Sequence, residues 1–508
     1  MTQAIAITVL VLFAAGMLLI GFYSKKRANS IDGFLLGGRR MGPWVSAIAY
    51  GTSYFSAVIF IGYAGKHGWD VGLGSLWIGI GNALIAALAS WLLLASRTRS
   101  MTRRLNSRTM PEFFGSRYAS DGMKVFAAVI IFIFLVPYAA SVYKGLGVMF
   151  SAVFPGMPEW SCMLIVALLT AAYLMLGGYV ATALNDLIQG VIMIGGIVVM
   201  IAVLLARPEV GGFSGMYDKL AAIDEQLVAP LGGDSFGFLA VNIALTSFAV
   251  WGMPQMLHKY YAIKDESSIR RGAVISTVFC LITGCGAYFV GSMGHLFIDA
   301  AENGMPALEG GYDAIVPTVL YRVFSQSFAL NIVLAVVLLL LLSASMSTLS
   351  AVVLTSSSAI SVDLTAVACK DISPRRQISL TRVLCVVFVA LSYFFAIQNI
   401  SFIVNLMSFA WGVVAGCFIG PFIWGLYSRR TTRAGAWAGM LSGVVTMGAL
   451  IIITTLTKDF DAAKNDAALF GCIAMAVSFV IVPLVSAITP KLSPKVVSSA
   501  FDAPADEQ

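Results

Sequence analysis

The sequence predicts an all-α polytopic membrane protein with about 13 transmembrane helices. Of its 508 residues, 59% are hydrophobic and only 11% are charged, whereas a soluble globular chain carries about 25% charged residues. The apolar residues form stretches of about 20, the length of one helical crossing, and these end at charges, glycine or proline. The connections between the stretches are too short to hold a soluble catalytic or nucleotide-binding module.

Each apolar stretch is assigned one crossing. In chain order the predicted spans are 2–22, 43–65, 72–96, 125–153, 160–177, 185–206, 236–256, 272–297, 328–362, 379–397, 400–427, 434–456 and 467–487. The first span lacks a basic segment before it, which indicates an anchor rather than a cleaved signal peptide. The ninth is too long for one perpendicular crossing, so we expect it to tilt or to extend into the cytoplasm. A short polar tail with frayed ends is expected after Pro490.

The basic residues alternate from loop to loop, so the net charge of +7 does not indicate a nucleic-acid partner. They cluster after the first, third, seventh, ninth and eleventh spans, while the intervening loops are poor in base and partly acidic. By the positive-inside rule, the N-terminus is expected outside and the C-terminus inside. An odd number of spans fits this orientation.

Two spans contain residues that interrupt a helix. The second is apolar through Ile61 and then meets glycines from Gly62 to Gly68, and the seventh contains Gly252-Met253-Pro254. Both open a block of five spans, 43–206 and 236–427. Paired breaks of this kind indicate an inverted-repeat transporter with its site near the middle of the membrane. Residues 1–42 and 428–490 would then be flanking helices, and 491–508 a cytoplasmic tail. The alternative is that glycine and proline are simply common in transmembrane helices.

A run of small hydroxyl residues, 343–350, lies inside the apolar ninth span. Lipid offers a hydroxyl no hydrogen bond, so these groups need partners inside the protein or a bound ligand. Ala344, Ser347 and Thr348 are spaced i, i+3, i+4 and therefore share one helix face. One carbonyl and two hydroxyls on one face suit a small hard cation such as sodium. The alternative is that the run only allows close helix packing.

Two charged residues lie within or at the edge of predicted spans. Asp186 follows Asn185 at the predicted cytoplasmic start of the sixth span, where it would either neutralise a passing cation or act as a first-turn acid. Lys144 lies inside the fourth span with no acid nearby in the sequence. It would pair with an anionic solute group, find a structural partner, or extend its ammonium to the outer interface.

Polar and aromatic residues flank both predicted breaks. They are Thr52, Ser53, Tyr54 and Ser56 in the second span, and Trp251 and Gln255 in the seventh. Such groups beside unwound backbone would form a solute pocket. The alternative is ordinary aromatic packing. The sequence contains no zinc-ligand spacing, phosphate loop or nucleophile motif, so an enzyme is not predicted.

Together these residues resemble the sodium:solute symporter family, which includes proline and pantothenate permeases and sodium–glucose cotransporters. The likeness covers nearly the whole chain. Its most specific parts are the segment from Gly177-Gly178 to Asp186 and Gln189, the run from Ala344 to Ser350, and the segment 34–42 before the first broken helix. The resemblance implies a leucine-transporter-type core of two inverted five-helix repeats with extra helices, working by alternating access.

The resemblance also implies the sodium ligands. For the main sodium they would be the backbone carbonyls of Thr52, Phe55 and Ala344 and the hydroxyls of Ser347 and Thr348. Some members bind a second sodium near the acid that corresponds to Asp186. Ser350 would supply one of the two neighbouring hydroxyls, whereas Ala351 lacks the other.

For the solute, the resemblance gives mixed indications. Trp251 corresponds to the aromatic beside the substrate in sugar carriers, but Val250 replaces the adjacent aromatic gate. Tyr54 stands where proline carriers have an acid, and Asn185-Asp186 is similar to pantothenate permeases.

We therefore expect a sodium-coupled symporter that imports an amino acid or an organic carboxylate such as proline or pantothenate. The solute would contact Ser53, Tyr54, Ser56, Lys144, Trp251 and Gln255. A bacterial cytoplasmic membrane is the expected location, with sodium as the only metal and the lipid bilayer as a partner. The alternatives are a carrier of sugars or other solutes, a passive channel and a membrane sensor.

Overall fold

The computed structural model describes residues 2–25, 30–154, 156–368, 372–398 and 401–502. These ranges are helical and contain no β-strand beyond two isolated bridges. The helices up to the second break are α1 (Thr2–Ser24), α2 (Ile31–Leu36), α3 (Pro43–Tyr54), α4 (Ala64–Val71), α5 (Leu76–Gly81), α6 (Ser96–Arg104), α7 (Met110–Tyr118), α8 (Asp121–Val153), α9 (Glu159–Leu205), α10 (Gly212–Ile223) and α11 (Phe236–Phe248). The helices after it are α12 (Pro254–Ala262), α13 (Glu266–Ser292), α14 (Ile315–Phe324), α15 (Phe328–Ser358), α16 (Thr365–Ala368), α17 (Pro374–Ala396), α18 (Ile403–Tyr427), α19 (Arg433–Thr457), α20 (Phe460–Asn465), α21 (Ala467–Ile488) and α22 (Pro494–Phe501).

The described ranges contain 11 helical stretches that are long and apolar enough to cross a membrane. Two of them, Val58–Arg104 and Glu159–Leu205, have 47 residues each. At 1.5 Å per residue they would be roughly 70 Å long, more than twice the apolar thickness of a bilayer. Each is interrupted at one glycine of positive φ, Gly72 (59°) and Gly178 (55°). Dividing the two stretches there gives the predicted number of about thirteen crossings.

The start of the sixth span differs from the prediction. The chain resumes its helix at Tyr179, directly after Gly178, rather than at 185. Gly178 is needed for two reasons: its φ is positive, and a Cβ would lie 2.7 Å from the Phe34 carbonyl oxygen. Residues 179–184 of the predicted connection are therefore part of the helix.

The second span breaks earlier than predicted. Helix α3 ends at Tyr54, and Phe55 is extended with φ −88° and ψ 116°. The Ser56 hydroxyl accepts a hydrogen bond from the Val58 amide at 3.2 Å, and the chain resumes as a π-helical turn over Val58–Tyr63. The break at Gly62–Gly68 expected from the sequence is wrong, because those glycines lie in continuous helix and serve close packing.

Gly68 shows this packing role most clearly. An ideal Cβ on Gly68 would lie 2.2 Å from the Gly291 carbonyl carbon, so α4 and α13 touch backbone to backbone. We expect Gly68→Ala to force these helices apart and to lower the free energy of unfolding by about 1–3 kcal/mol. Thermal unfolding of the purified protein measures this. Gly448→Ala is the matched control, because a Cβ on Gly448 would have no atom within 4 Å; equal melting temperatures for the two variants would contradict the packing role.

The seventh span breaks where the sequence predicts. Residues Ala249–Gly252 form a tight 3-10 turn, Met253 is extended with ψ 119°, and Pro254 occupies the first position of α12. Proline fits there because the amide it lacks would have no helical partner. Two half-helices thus meet at Met253.

The broken helices lie against the most buried part of the bundle. In α18, 89% of the residues of its most apolar segment are buried, whereas the corresponding values for α1 and α19 are 22% and 28%. The outer helices expose large apolar side chains such as Leu12 and Leu456, which lipid would cover. The breaks are therefore shielded from lipid by the other spans.

The basic connections meet at one end of the bundle, which we call the basic end. Arg39 donates to the Ser107 carbonyl at 2.8 Å, and Arg99 donates to the Lys264 carbonyl at 2.6 Å. Helix α22 packs on the same end, where the Phe501 ring lies 5.0 Å from the Arg117 guanidinium. The expected fraying after Pro490 is wrong for Pro494–Phe501; residues 503–508 lie outside the described ranges.

The ninth span also extends to the basic end. After α15 the chain continues through a π-helical turn, Ala359–Leu364, into α16. Asp363 in this turn accepts a hydrogen bond from the Thr109 hydroxyl at 2.8 Å and lies 3.7 Å from the Lys124 ammonium. The extension thus fastens α15 to α7 and α8.

Candidate functional site

Two hydroxyls of α15 face the end of α3. The Ser347 hydroxyl donates to the Thr52 carbonyl at 2.8 Å and lies 2.9 Å from the Ala344 carbonyl. The Thr348 hydroxyl lies 3.3 Å from the Thr52 carbonyl, 3.2 Å from that of Ser53 and 3.1 Å from that of Ala344. All five residues are fully buried. The structure thus brings four of the five predicted sodium ligands together, and the Ser53 carbonyl joins them.

The break in the second span makes these carbonyls available. In a helix the last carbonyls have no amide four residues ahead to bond them. The Phe55 amide still donates to the Gly51 carbonyl at 3.1 Å. Because the backbone of Phe55 is extended, the helical hydrogen bonds stop there, and the next two carbonyls, those of Thr52 and Ser53, receive none from the helix. Their oxygens therefore turn to the hydroxyls of α15. Phe55 lies in the break itself, and its carbonyl as a ligand remains a prediction.

The chemistry of this cluster suits sodium. It consists of three carbonyl and two hydroxyl oxygens, all neutral, and hard oxygen ligands favour hard cations. In this structure the two hydroxyls donate hydrogen bonds to the carbonyls. A bound cation would contact the carbonyl oxygens instead, and the hydroxyl protons would then point away from the cation. Because the oxygens come from two separate helices, a cation among them would hold α3 and α15 together.

Asp186 lies deep in the protein rather than at the mouth of a span. It is eight residues beyond Gly178, roughly 12 Å along the helix, and it is fully buried. It is neither a cap nor a first-turn acid. Its Oδ2 lies 3.2 Å from the ammonium of Lys259 in α12, and both side chains are 1% exposed.

Polar side chains close to Asp186 make few hydrogen bonds within the described part of the chain. The Ser350 hydroxyl donates to the Ser347 carbonyl at 3.0 Å, within its own helix. Both polar atoms of the Asn185 side-chain amide and the side-chain carbonyl oxygen of Gln189 are buried without a hydrogen-bond partner in the described part of the chain. Within the described part of the chain, the Asp186 carboxylate is paired with the lysine of α12.

Lys144 has a partner that the sequence does not reveal. Its ammonium lies 3.3 Å from Asp313 Oδ2 and donates to the Ser401 carbonyl at 2.7 Å. Asp313 also accepts from the Ile403 amide at 3.2 Å. Burial raises the pKa of Asp313, and the Lys144 ammonium counteracts that rise. The positive charge of Lys144, which was expected to meet a solute, is thus balanced by Asp313 within the protein. Both residues line a cavity of about 1020 Å³ at the end opposite the basic end.

The predicted solute residues fall into two groups. Tyr54 donates to the Thr246 carbonyl at 3.1 Å, Trp251 donates to the Ile85 carbonyl at 3.1 Å, and Ser56 caps the resumed helix. The polar atoms of these three side chains already have hydrogen-bond partners within the protein. By contrast, the Ser53 hydroxyl and both amide atoms of Gln255 are buried without a hydrogen-bond partner among the described residues. Buried polar groups of this kind need a ligand or water.

An aromatic cluster that sequence reasoning missed lies beside the first break. The Trp411 ring centroid is 5.7 Å from that of Tyr54 and 5.6 Å from that of Tyr138. The Trp411 indole N–H and the Tyr138 hydroxyl are buried and make no hydrogen bond of normal geometry within the described ranges. The only sign of this cluster in the sequence is a tryptophan inside the apolar eleventh span. Tryptophans that merely pack in a protein core give the same sign.

Solved structures of transporters share the fold of this chain. The chain aligns with a sodium-coupled sialic acid symporter in a substrate-bound outward-open state at a TM-score of 0.75 and 18% identity, covering 96% of this chain and 99% of that one. It also aligns with MHP1, a nucleobase-cation-symport-1 family transporter in a closed conformation, at a TM-score of 0.54 and 12% identity, covering 93% and 98%. The fold is that of leucine-transporter-type secondary transporters.

The sequence relatives identify the family. The chain belongs to the sodium:solute symporter family, whose model matches residues 34–443. It is 31% identical over 443 residues to the sodium/proline symporter of Haemophilus influenzae, covering 86% of each chain. It is 28% identical over 453 residues to the osmoregulated proline transporter OpuE of Bacillus subtilis, covering 87% of this chain and 88% of that one. The chain is thus a transporter rather than an enzyme.

Proposed function

We propose that this protein is a sodium-coupled symporter that imports a small organic solute by alternating access. The observation that carries the proposal is the contact of the Ser347 and Thr348 hydroxyls with the Thr52 carbonyl across the first break. A sodium bound there would hold α3 against α15 and set the geometry of the adjacent Ser53 and Tyr54. Sodium binding and solute binding would then favour the same conformation.

The driving force comes from the sodium gradient and the membrane potential. Moving one positive charge inward through the potential contributes about 2.3 kcal/mol per 100 mV. A factor of ten in concentration corresponds to about 1.4 kcal/mol. One sodium per solute therefore suffices for accumulation of more than tenfold.

The solute is proposed to be an amino acid such as proline. The relatives named above are proline transporters, and the aromatic cluster with Trp411 offers apolar contact to a small ring. Ser53 and Gln255 offer hydrogen bonds from either side. Tyr54 stands at the first break with its hydroxyl bonded inside the protein, so the pocket contains no acid at this position.

The arrangement of the chain in the membrane follows from the same proposal. The inverted repeats would be 43–206 and 236–427, with 1–42 and 428–490 as flanking segments. The basic end would face the cytoplasm of a bacterial cell, because basic loops are retained inside. The N-terminus would then be outside, and α22 would form a packed cytoplasmic end.

Uptake by the purified protein in proteoliposomes tests the proposal. Labelled L-proline is offered with an inward sodium gradient or an equal potassium gradient, and amino acids, carboxylates including pantothenate, and sugars are added as competitors. We expect sodium-dependent accumulation that proline inhibits most strongly. Flux without accumulation would indicate a channel. No uptake of labelled proline, together with sodium-dependent uptake of a labelled sugar or of labelled pantothenate, would change the solute assignment.

Gln255 provides a separate test of the pocket. Because its amide is unpaired in the described structure, Gln255→Met should leave the melting temperature unchanged or raise it, while the KM for the solute rises about tenfold through loss of a hydrogen bond. Gln398→Met, at an exposed position of the chain, is the control and should change neither. A variant with normal KM would exclude Gln255 from the pocket.

A further inference from the structure

Lys259 is the most deeply buried ammonium group with an acidic partner among the described residues. Its side chain is 1% exposed and its Nζ lies 3.2 Å from Asp186 Oδ2. The Tyr179 ring lies on the same ammonium, with its centroid 5.4 Å from Nζ. Lys259 belongs to α12, the half-helix that follows the second break, whereas Asp186 belongs to α9. The pair therefore joins two transport-related helices inside the protein.

Neither charge is stable there alone. A single buried charge is strongly unfavourable, and removal of one partner of a buried pair leaves the other uncompensated. Asp186 therefore needs a cation, and the structure supplies one from the chain itself. The cation is fixed in the protein and does not have to be taken from solution.

A sodium at Asp186 would compete with this ammonium. Two positive unit charges about 4 Å apart near a protein surface repel each other enough to weaken the binding of either cation by about a thousandfold. Ala351, next to Ser350, has only a methyl group and offers no side-chain oxygen. The residues around Asp186 therefore do not fit a second sodium while Lys259 is in place.

We propose that Lys259 is a resident cation that takes the place of a second sodium at Asp186, so that solute import is coupled to one sodium. This inference rests on the proposed function, because it presupposes that sodium binds at Ser347 and Thr348. Lys259 acts through Asp186 and does not touch the solute. It is a residue that determines ion stoichiometry.

The test counts bound sodium on the full-length purified protein. Equilibrium binding of ²²Na is measured for the wild type, Lys259→Met, Lys259→Arg and the double variant Lys259→Met/Asp186→Asn. We expect one sodium per chain in the wild type, in Lys259→Arg and in the double variant. Lys259→Met should bind two, because the freed carboxylate then takes a cation from solution.

Two results would overturn the inference. One is a wild type that binds two sodium ions and loses one in Asp186→Asn, a result that needs no lysine variant to fold. The other is a folded Lys259→Met protein that still binds one. No sodium binding in the wild type, with no effect of Thr348→Ala, would instead contradict the proposed function itself. A merely structural role for Lys259 would change stability but not the count.

Discussion

Replacing Thr348 with alanine is expected to raise the sodium concentration for half-maximal uptake at least tenfold, a loss of about 1.4 kcal/mol or more in sodium binding. The Thr348 hydroxyl lies within 3.3 Å of three carbonyls, those of Thr52, Ser53 and Ala344. Alanine removes a proposed cation ligand and also leaves those buried carbonyls with fewer partners. Ser347→Ala should have a similar effect, and the double variant should lose sodium-stimulated uptake. The measurement is solute uptake in proteoliposomes as a function of sodium concentration.

The matched control for this series is Ser356→Ala. Ser356 is also fully buried in α15, and its hydroxyl has no hydrogen-bond partner among the described residues. It lies nine residues beyond Ser347, roughly 13 Å along the helix. The same chemical change should therefore leave the sodium requirement within about twofold of the wild type. Normal sodium dependence in both Ser347→Ala and Thr348→Ala would exclude this site.

Lys144→Met is expected to destabilise the protein by about 3–5 kcal/mol, because it leaves the buried Asp313 carboxylate without its cation. The side chains of Lys144 and Asp313 are 10% and 4% exposed. The double variant Lys144→Met/Asp313→Asn should recover most of the loss, since asparagine can still accept from the Ile403 amide. Denaturation of the purified proteins in detergent measures both effects. Lys264→Met is the control, because the side chains of Lys264 and its partner Asp265 are 49% and 44% exposed and their pairing is expected to contribute less than about 1 kcal/mol.

The same double variant decides whether Lys144 serves the solute. If the ammonium only balances Asp313, the KM for the solute stays within about twofold of the wild type once stability is restored. A KM raised tenfold or more in a stable double variant would instead assign Lys144 to solute recognition. Stability and KM are thus measured on one protein and answer different questions.

The local patterns of the sequence predicted much of the site. The i, i+3, i+4 spacing of Ala344, Ser347 and Thr348 depends only on helix geometry, and the structure places all three on the face toward α3. The second break could be predicted for a similar reason, since proline cannot continue the hydrogen bonding of a helix. Both features are properties of a few consecutive residues.

Features that depend on distant residues could not be predicted in this way. Lys144 meets Asp313 and Lys259 meets Asp186 only after the helices have packed. Lys259 lies three residues beyond the predicted end of the seventh span at 256, and α12 continues past it to Ala262. The pairing of a buried lysine depends on tertiary contacts that helix periodicity does not encode.

The position of the first break was missed for a related reason. Glycine both loosens a helix and permits close approach, and the sequence does not distinguish these uses. Gly68 contacts the backbone of Gly291, whereas the break falls at Phe55, a residue with no intrinsic tendency to end a helix. The break there is accompanied by contacts from α15, including the bond from the Ala57 amide to the Ser345 hydroxyl at 3.0 Å.

Reciprocal binding of sodium and solute tests the central claim most directly. The dissociation constant of the solute is measured for the purified protein at increasing sodium, and that of sodium at increasing solute. Because the proposed sodium ligands and the proposed solute pocket share the residues around the first break, we expect each ligand to strengthen the binding of the other by the same factor, about tenfold or more. This coupling should disappear in the Ser347→Ala/Thr348→Ala variant. Solute affinity independent of sodium in the wild type would contradict sodium-coupled symport through this site.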